Sequence, residues 1–384
     1  MNKKVTSKKT QFKGIKQNPS LLGFGCMRFP VLEKGKPDID EVLSQKMIDY
    51  AYQNGVNYYD TAYPYHQGLS ELFIGKALKK YPRDSFYLAS KLPSWLIKSA
   101  DDAKRIFNEQ LKKCQVEYFD FYLAHALGTE QFKPYLLPGV MDFLYQMKKE
   151  GKIRHLGFSF HDTYDVLDTI IHIYEWDFVQ LQLNYLDWDF IKAKKQYEIV
   201  EAYGVPCIVM EPVRGGTLAT LSDEAQEIFK SYRPEVSIAS WAIRYAASKP
   251  NVMLVLSGMS NLEQTVDNVK TLTDFEPIND KEQKIIDKAL NVYLESKTIP
   301  CTSCNYCMPC PHGVEIPKNF ANYNKFAISK NKNEFIHEYE HNMEFSNADF
   351  CISCGECVEL CPQHIQIPER MIEISKLFIE TKNK

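Results

Sequence analysis

Long apolar runs are missing from this chain. No stretch approaches the roughly 18 residues that a transmembrane helix needs, so no membrane span is expected. An excess of one charge is missing too. Lys and Arg number 46 against 49 Asp and Glu, a net charge of −3, which makes no electrostatic case for a nucleic-acid partner. No segment interleaves basic and aromatic residues in the way single-strand-binding surfaces do. The start, MNKKVTSKKT, is basic, but no apolar segment follows it, so it does not read as a secretory signal. A full Gly-x-Gly-x-x-Gly turn is also absent. Gly23-Phe24-Gly25-Cys26-Met27 has no third glycine, which argues against an open doubly wound sheet. Cysteine is scarce over the first 300 residues, where only Cys26, Cys114 and Cys207 occur.

What is present suffices for a sizeable fold. Hydrophobic residues make up 45% of 384 and charged residues 25%, which excludes disorder as the global state. At about 150 residues per domain the length suits two or three domains, or one barrel of about 250 residues with a smaller module. Short apolar runs recur eight times: 21–27, 56–60, 86–91, 119–125, 155–159, 178–183, 206–211 and 252–257. Runs of this kind suit parallel strands buried on both faces. Helical stretches separate most of them, such as 101–116, where Ala103, Ile106, Phe107 and Leu111 recur at helical spacing. Further helices are expected over 237–249, 262–272 and 280–295. The pattern predicts an α/β fold, a (β/α)8 TIM barrel over residues 1–295. Composition changes at Ile299-Pro300-Cys301, so a small α-rich second domain is expected over 296–384.

That second domain holds eight of the 11 cysteines. A secreted disulfide protein would spread them through a small domain; this clustering points to metal in a reducing, cytoplasmic compartment. The second run, Cys351, Cys354, Cys357 and Cys361 followed by Pro362, fits C-x2-C-x2-C-x3-C-P, the bacterial [4Fe–4S] pattern. The first, Cys301, Cys304, Cys307 and Cys310 followed by Pro311, is one residue shorter before its last cysteine. Zinc knuckles usually set two C-x2-C pairs about 12 to 20 residues apart, which neither run does. In the ferredoxin pattern the fourth cysteine reaches the other cluster. Two clusters are therefore expected, one on Cys301, Cys304, Cys307 and Cys361, the other on Cys351, Cys354, Cys357 and Cys310. The module resembles two-cluster ferredoxin domains.

Strand ends of a barrel converge on one face, where its chemistry sits. Asp60 ends the second strand candidate, Tyr65 follows in the loop, Lys91 ends the third, and His125 ends the fourth. Reducing a carbonyl takes a hydride and a proton. A phenol beside a cation held by a carboxylate can supply that proton. LGFGCMRFP, DTAYPYHQGLSELFIGKAL, SKLP, YLAHAL, GKIRHLGFSFHD, VQLQLNYLD, EPVRGG and SGMSNLEQTVDN together resemble the aldo/keto reductase superfamily over about residues 11–295.

That resemblance implies a catalytic set of Asp60, Tyr65, Lys91 and His125. Tyr65 would be the general acid, Lys91 paired with Asp60 would depress its pKa, and His125 would orient the carbonyl or help relay the proton. It implies NADP or NAD as cofactor, and a small-molecule carbonyl or alcohol as substrate. Ser159 and Gln180 would hold the nicotinamide amide, although Phe160 stands where the family has asparagine. Met210 replaces the aromatic that stacks on the ring. Pro212, Val213, Gly215 and Gly216 fit the pyrophosphate loop. Ser257, Gly258 and Ser260, with Gln264 and Asn268, fit the adenosine side, and Ser260 stands where NADP-specific members place a basic residue. The pairing with clusters resembles iron–sulfur aldo/keto reductases. The clusters would exchange electrons with a separate protein, or else be structural or redox-sensing. In the second case the barrel would act alone or as a cofactor-binding regulatory subunit.

Overall fold

The computed structural model describes residues 3–8, 15, 17–33, 35–273 and 275–383. Residues 11–14 and 16, where the family resemblance begins, lie outside the described residues. Eight strands run as β1 Leu22–Gly25, β2 Tyr58–Asp60, β3 Tyr87–Pro93, β4 Phe119–Leu127, β5 Ile153–Phe160, β6 Phe178–Gln182, β7 Cys207–Met210 and β8 Val252–Ser257. They pair in sequence order, all parallel, and β8 closes on β1 with Leu22 opposite Val255. Each expected strand is therefore a stave of a closed barrel. Nearly every strand residue is buried, as expected where helices cover the outside and side chains fill the inside. Tyr58, Phe121, Phe178, Ile208 and Leu254, from five different strands, pack in one cluster.

The helices follow local signals. Helix Ala100–Lys113 starts at Ser99, whose side chain accepts from Asp102 N, and it carries Asp101 and Asp102 first and Lys112 and Lys113 last, as capping and the helix dipole favour. It stops short of the expected Val116 because Cys114 caps it and Gln115 turns to φ +54. Helix Leu262–Leu272 has the expected bounds, with Asn261 as cap. Helix Asp280–Leu294 opens on a capping box between Asn279 and Glu282.

By compactness the chain forms two units. One comprises the chain up to Pro212 with Ser240–Ile278, and the other comprises Val213–Ala239 with Asn279 onward. All eight strands belong to the first. The second takes helix Asp223–Tyr232 and helix Asp280–Leu294 as well as the tail, and Arg233 Nη1 bonds Glu282 Oε1 at 3.2 Å within it. In the tail the described residues form helices, chiefly Ile316–Ser329, Lys332–His337 and Ile367–Lys382. Phe320, Phe335, Tyr339, Met371 and Ile374 make its core, and six of the eight motif cysteines pack against that core. Among the described residues no helix is long and apolar enough to cross a membrane.

Candidate active site

A fully buried lysine must have partners. Lys91, on β3 and 0% exposed, has three acceptors for its three ammonium protons: Asp60 Oδ1 at 2.5 Å, the Thr61 carbonyl at 2.8 Å and Tyr65 OH at 3.2 Å. Asp60 is the last residue of β2. Tyr65 opens a short turn, Tyr65–Gly68, in which His66, Gln67 and Gly68 take φ +50, +54 and +93. That left-handed run is sparsely populated by non-glycine residues. It winds the loop so that the Tyr65 ring lies 4.7 Å from Lys91 Nζ. His125, on β4, meets the Tyr65 ring edge-on at 6.1 Å between centroids and lies 5.3 Å from the Trp95 ring. Its backbone N–H donates to Tyr135 OH at 3.1 Å, and Tyr135 donates to the Leu92 carbonyl at 2.5 Å. One tyrosine thus fixes the ends of β3 and β4 together.

The charge states follow from burial. Burial raises the Asp60 carboxyl and the Lys91 charge opposes that rise. Burial drives the His125 imidazole well below its ordinary range, and the Lys91 charge adds to the effect. Tyr65 is pushed well above the usual phenol value by burial, then by the negative charges of Asp60 and Glu211, with Arg28 opposing. The expected depression of the Tyr65 pKa is not met. Asp60 neutralises the lysine that was to supply it, and desolvation of the phenolate dominates. The site holds a protonated tyrosine beside a neutral histidine.

Next to this set, Gln180 on β6 donates its amide N–H to the Met210 sulfur at 3.4 Å, while its buried Oε1 has no partner. An orphan buried carbonyl oxygen is costly, and an incoming carboxamide N–H would satisfy it. Ser159 Oγ accepts from Ala126 N at 2.8 Å, so it also ties β4 to β5. At the end of β8, Asn268 Nδ2 donates to Ser257 Oγ at 2.7 Å and Ser260 N donates to Gln264 Oε1 at 2.8 Å. These four residues shape one loop. A Cβ on Gly258 would meet the Arg28 side chain at 3.1 Å. Arg28 itself lies 3.5 Å from Glu211. Sequence reasoning passed over Arg28 and Glu211. The position of Glu211 depends on its φ of +54, which no residue pattern announces. Pro212 is buried. Val213, Gly215 and Gly216 belong to the second unit, where Gly215 faces Thr302: a Cβ there would lie 2.1 Å from the Thr302 carbonyl oxygen.

Among the described residues the motif cysteines form no disulfide. Cys301 lies in the field of Cys361, Cys307 in that of Cys304, Cys301 and Cys361, and Cys357 in that of Cys351, Cys354 and Cys310. The crossed sets expected from the sequence would draw on these same neighbours. Burial raises the Cys301 thiol, and burial plus the neighbouring sulfurs raise Cys307 to about 12; burial takes Cys357 to about 11. Four thiolates gathered so need a cationic core, and an iron–sulfur cubane supplies one. The Ser303 N–H donates to Cys301 Sγ at 3.4 Å, a bond that suits a cluster thiolate. Among the described residues no three His, Cys, Asp or Glu side chains converge closely enough to hold a metal ion. A cubane, by contrast, takes each thiolate at a different corner.

The profile of the aldo/keto reductase family matches residues 21–291, and that of the 4Fe-4S dicluster domain matches residues 300–365. A probable aldo-keto reductase 1 of Glycine max is 31% identical over 148 residues, 36% of this chain and 41% of that protein. The NADH-specific methylglyoxal reductase of Escherichia coli K12 is 27% identical over 280 residues, 61% of this chain and 84% of that protein. The holo form of a Bacillus halodurans aldo-keto reductase superposes with a TM-score of 0.61 at 24% identity, over 74% of this chain and 96% of that one.

Proposed function

The chain belongs to the aldo/keto reductase family, and from that premise we propose that it moves hydride between NAD(H) or NADP(H) and a small carbonyl or alcohol, with Tyr65 giving or taking the proton. The observation that carries this reading is the buried Lys91 bonded at once to Asp60, the Thr61 carbonyl and Tyr65 OH. The nicotinamide, when bound, supplies or accepts the hydride. Burial keeps the Tyr65 proton in place until a carbonyl oxygen gathers negative charge beside it. Tyr65 then donates that proton, and the Lys91 ammonium stabilises the tyrosinate left behind. Asp60 holds Lys91 in line. His125, neutral at working pH, orients the carbonyl through a ring N–H and adds no charge of its own. Gln180 receives the nicotinamide carboxamide on its orphan Oε1.

In the second unit, Cys301, Cys304, Cys307 and Cys361 hold one [4Fe–4S] cluster, and Cys351, Cys354, Cys357 and Cys310 the other. Such clusters pass one electron at a time, so a protein that takes or gives single electrons is the partner this reading assigns them. Met210 and Phe160, in place of an aromatic and an asparagine, favour a second reading, a barrel that keeps its cofactor and turns over slowly as a regulatory subunit.

Anaerobic protein with its clusters loaded, given NADH and NADPH in parallel with small aldehydes and 2-oxoaldehydes, decides between them. A rate lost in Tyr65→Phe supports the reductase. Cofactor binding with no Tyr65-dependent rate supports the regulatory reading. Cluster EPR signals after nicotinamide alone, compared with dithionite, tell whether the cofactor reduces the clusters.

A further inference from the structure

Arg214 is a buried cation that the hydride chemistry leaves unused. It is 2% exposed and belongs to the second compact unit. Its Nη2 donates to Gln363 Oε1 at 3.2 Å, and Gln363 lies two residues beyond Cys361. The following residue, Gly215, approaches the backbone so closely that a Cβ would lie 2.1 Å from the Thr302 carbonyl oxygen and 2.9 Å from Thr302 Cα. Thr302 directly follows Cys301. Arg214 and its neighbour are thus anchored beside two cysteines of the same crossed set. Arg214, Gly215 and Gly216 take φ +50, +64 and +99 in succession. A backbone of this kind persists only where its surroundings over-determine it.

We infer that Arg214 is the electrostatic partner of the cluster held by Cys301, Cys304, Cys307 and Cys361, and raises its reduction potential. The inference rests on the reading that each thiol set holds one [4Fe–4S] cluster. Reduction adds one electron to the cluster; no bond forms or breaks and no proton is required. The reduced cluster carries one more negative charge, so a buried cation beside it stabilises that state more than the oxidised one. Gln363 keeps the guanidinium in place.

The test is an EPR-monitored potentiometric titration of anaerobic, fully loaded protein, with dithionite as reductant and no nicotinamide. In Arg214→Gln the reduction equilibrium of one cluster falls at least tenfold, about 59 mV for one electron, and the other signal stays where it was. Arg214→Lys keeps the charge and stays within a few-fold of wild type. Gln363→Glu places a carboxylate against the guanidinium without opening a cavity, and it lowers the same signal; it decides the matter should Arg214→Gln fail to assemble. Unchanged midpoints, an equal fall of both signals, or Lys as damaging as Gln would each overturn the inference. Iron and sulfide content, measured beforehand, tests the two-cluster reading separately. Wild-type protein without eight irons fails that reading first.

Discussion

Lys91 Nζ lies 2.5 Å from Asp60 Oδ1, with the two side chains 0% and 4% exposed. Removing one partner of such a pair leaves a charge stranded in the interior, which typically costs about 3–5 kcal/mol. Lys91→Met and Asp60→Asn should each lower the urea midpoint and abolish carbonyl turnover. The double variant should recover much of the stability and none of the activity, because no charge is then stranded but the cation beside Tyr65 is gone. A double variant no more stable than either single would mean that the pair is not electrostatically coupled.

The same burial sets the pH behaviour. Tyr65 stands well above the usual phenol value, so it is protonated throughout the neutral range. Carbonyl reduction should be level from about pH 6 to 8, while alcohol oxidation, which needs the tyrosinate, should still be climbing at about pH 10. Rate profiles in the two directions check this, and oxidation that levels off near neutrality would contradict it.

Stability also falls on the acid side. His125 is held well below its ordinary value by burial, and His155 is lowered to about 4, also by burial. The unfolded chain therefore binds protons at these sites that the native state refuses. The stability they confer is whole above the unfolded pKa of about 6.5 and is lost as pH falls from there towards 4. Chemical denaturation at pH 7.5, 6 and 5 should show that loss, and His155→Asn should flatten it.

Behind Lys91 lies a second buried network that none of the sequence motifs isolates. Glu71, fully buried, accepts from Ser90 Oγ and Gln110 Nε2, each at 2.6 Å. Gln110 also reaches the Lys91 carbonyl at 3.0 Å, and Tyr122 OH donates to Gln110 Oε1 at 2.5 Å. Gln110→Leu strips the buried carboxylate of a donor, which should cost about 1–3 kcal/mol. By loosening β3 at Lys91 it should lower kcat with little change in KM for the aldehyde. Gln110→Glu brings a second carboxyl against Glu71 and should be worse. A rise in KM with kcat intact would place the network on the substrate side instead.

The barrel was legible because each stave is a short apolar run bounded by turns, and the helix bounds at Ser99 and Asn261 are announced by their caps. The convergence of Asp60, Tyr65, Lys91 and His125 was legible because strand ends of a closed barrel meet at one face, so position along the chain gives position in space. The crossed cysteine sets are read from the ferredoxin pattern, from which the first run departs by one residue. The protonation of Tyr65 was not legible: it depends on burial outweighing a neutralised lysine, and neither term is visible without packing. Glu211 was missed for a related reason. It owes its position to left-handed backbone at a non-glycine residue, φ +54, where residue type gives no signal. Gly215 and Gly216 looked alike in sequence as a phosphate-binding pair, yet their surroundings differ.

That difference can be measured. At Gly215 a methyl group would meet the Thr302 carbonyl oxygen at 2.1 Å, a backbone atom that cannot step aside, and φ is +64; at Gly216 φ is +99 but nothing lies within 4 Å. Gly216→Ala should therefore cost only the backbone strain, about 1 kcal/mol, and keep its full iron. Gly215→Ala must push the Cys301 loop away. It should lose iron and the EPR signal of the cluster proposed for Cys301, Cys304, Cys307 and Cys361, while far-UV circular dichroism still reports a folded barrel. Equal behaviour of the two variants would mean that the close approach to Thr302 is not what holds this loop, and the glycines would then have to be explained by the phosphate they were first expected to bind.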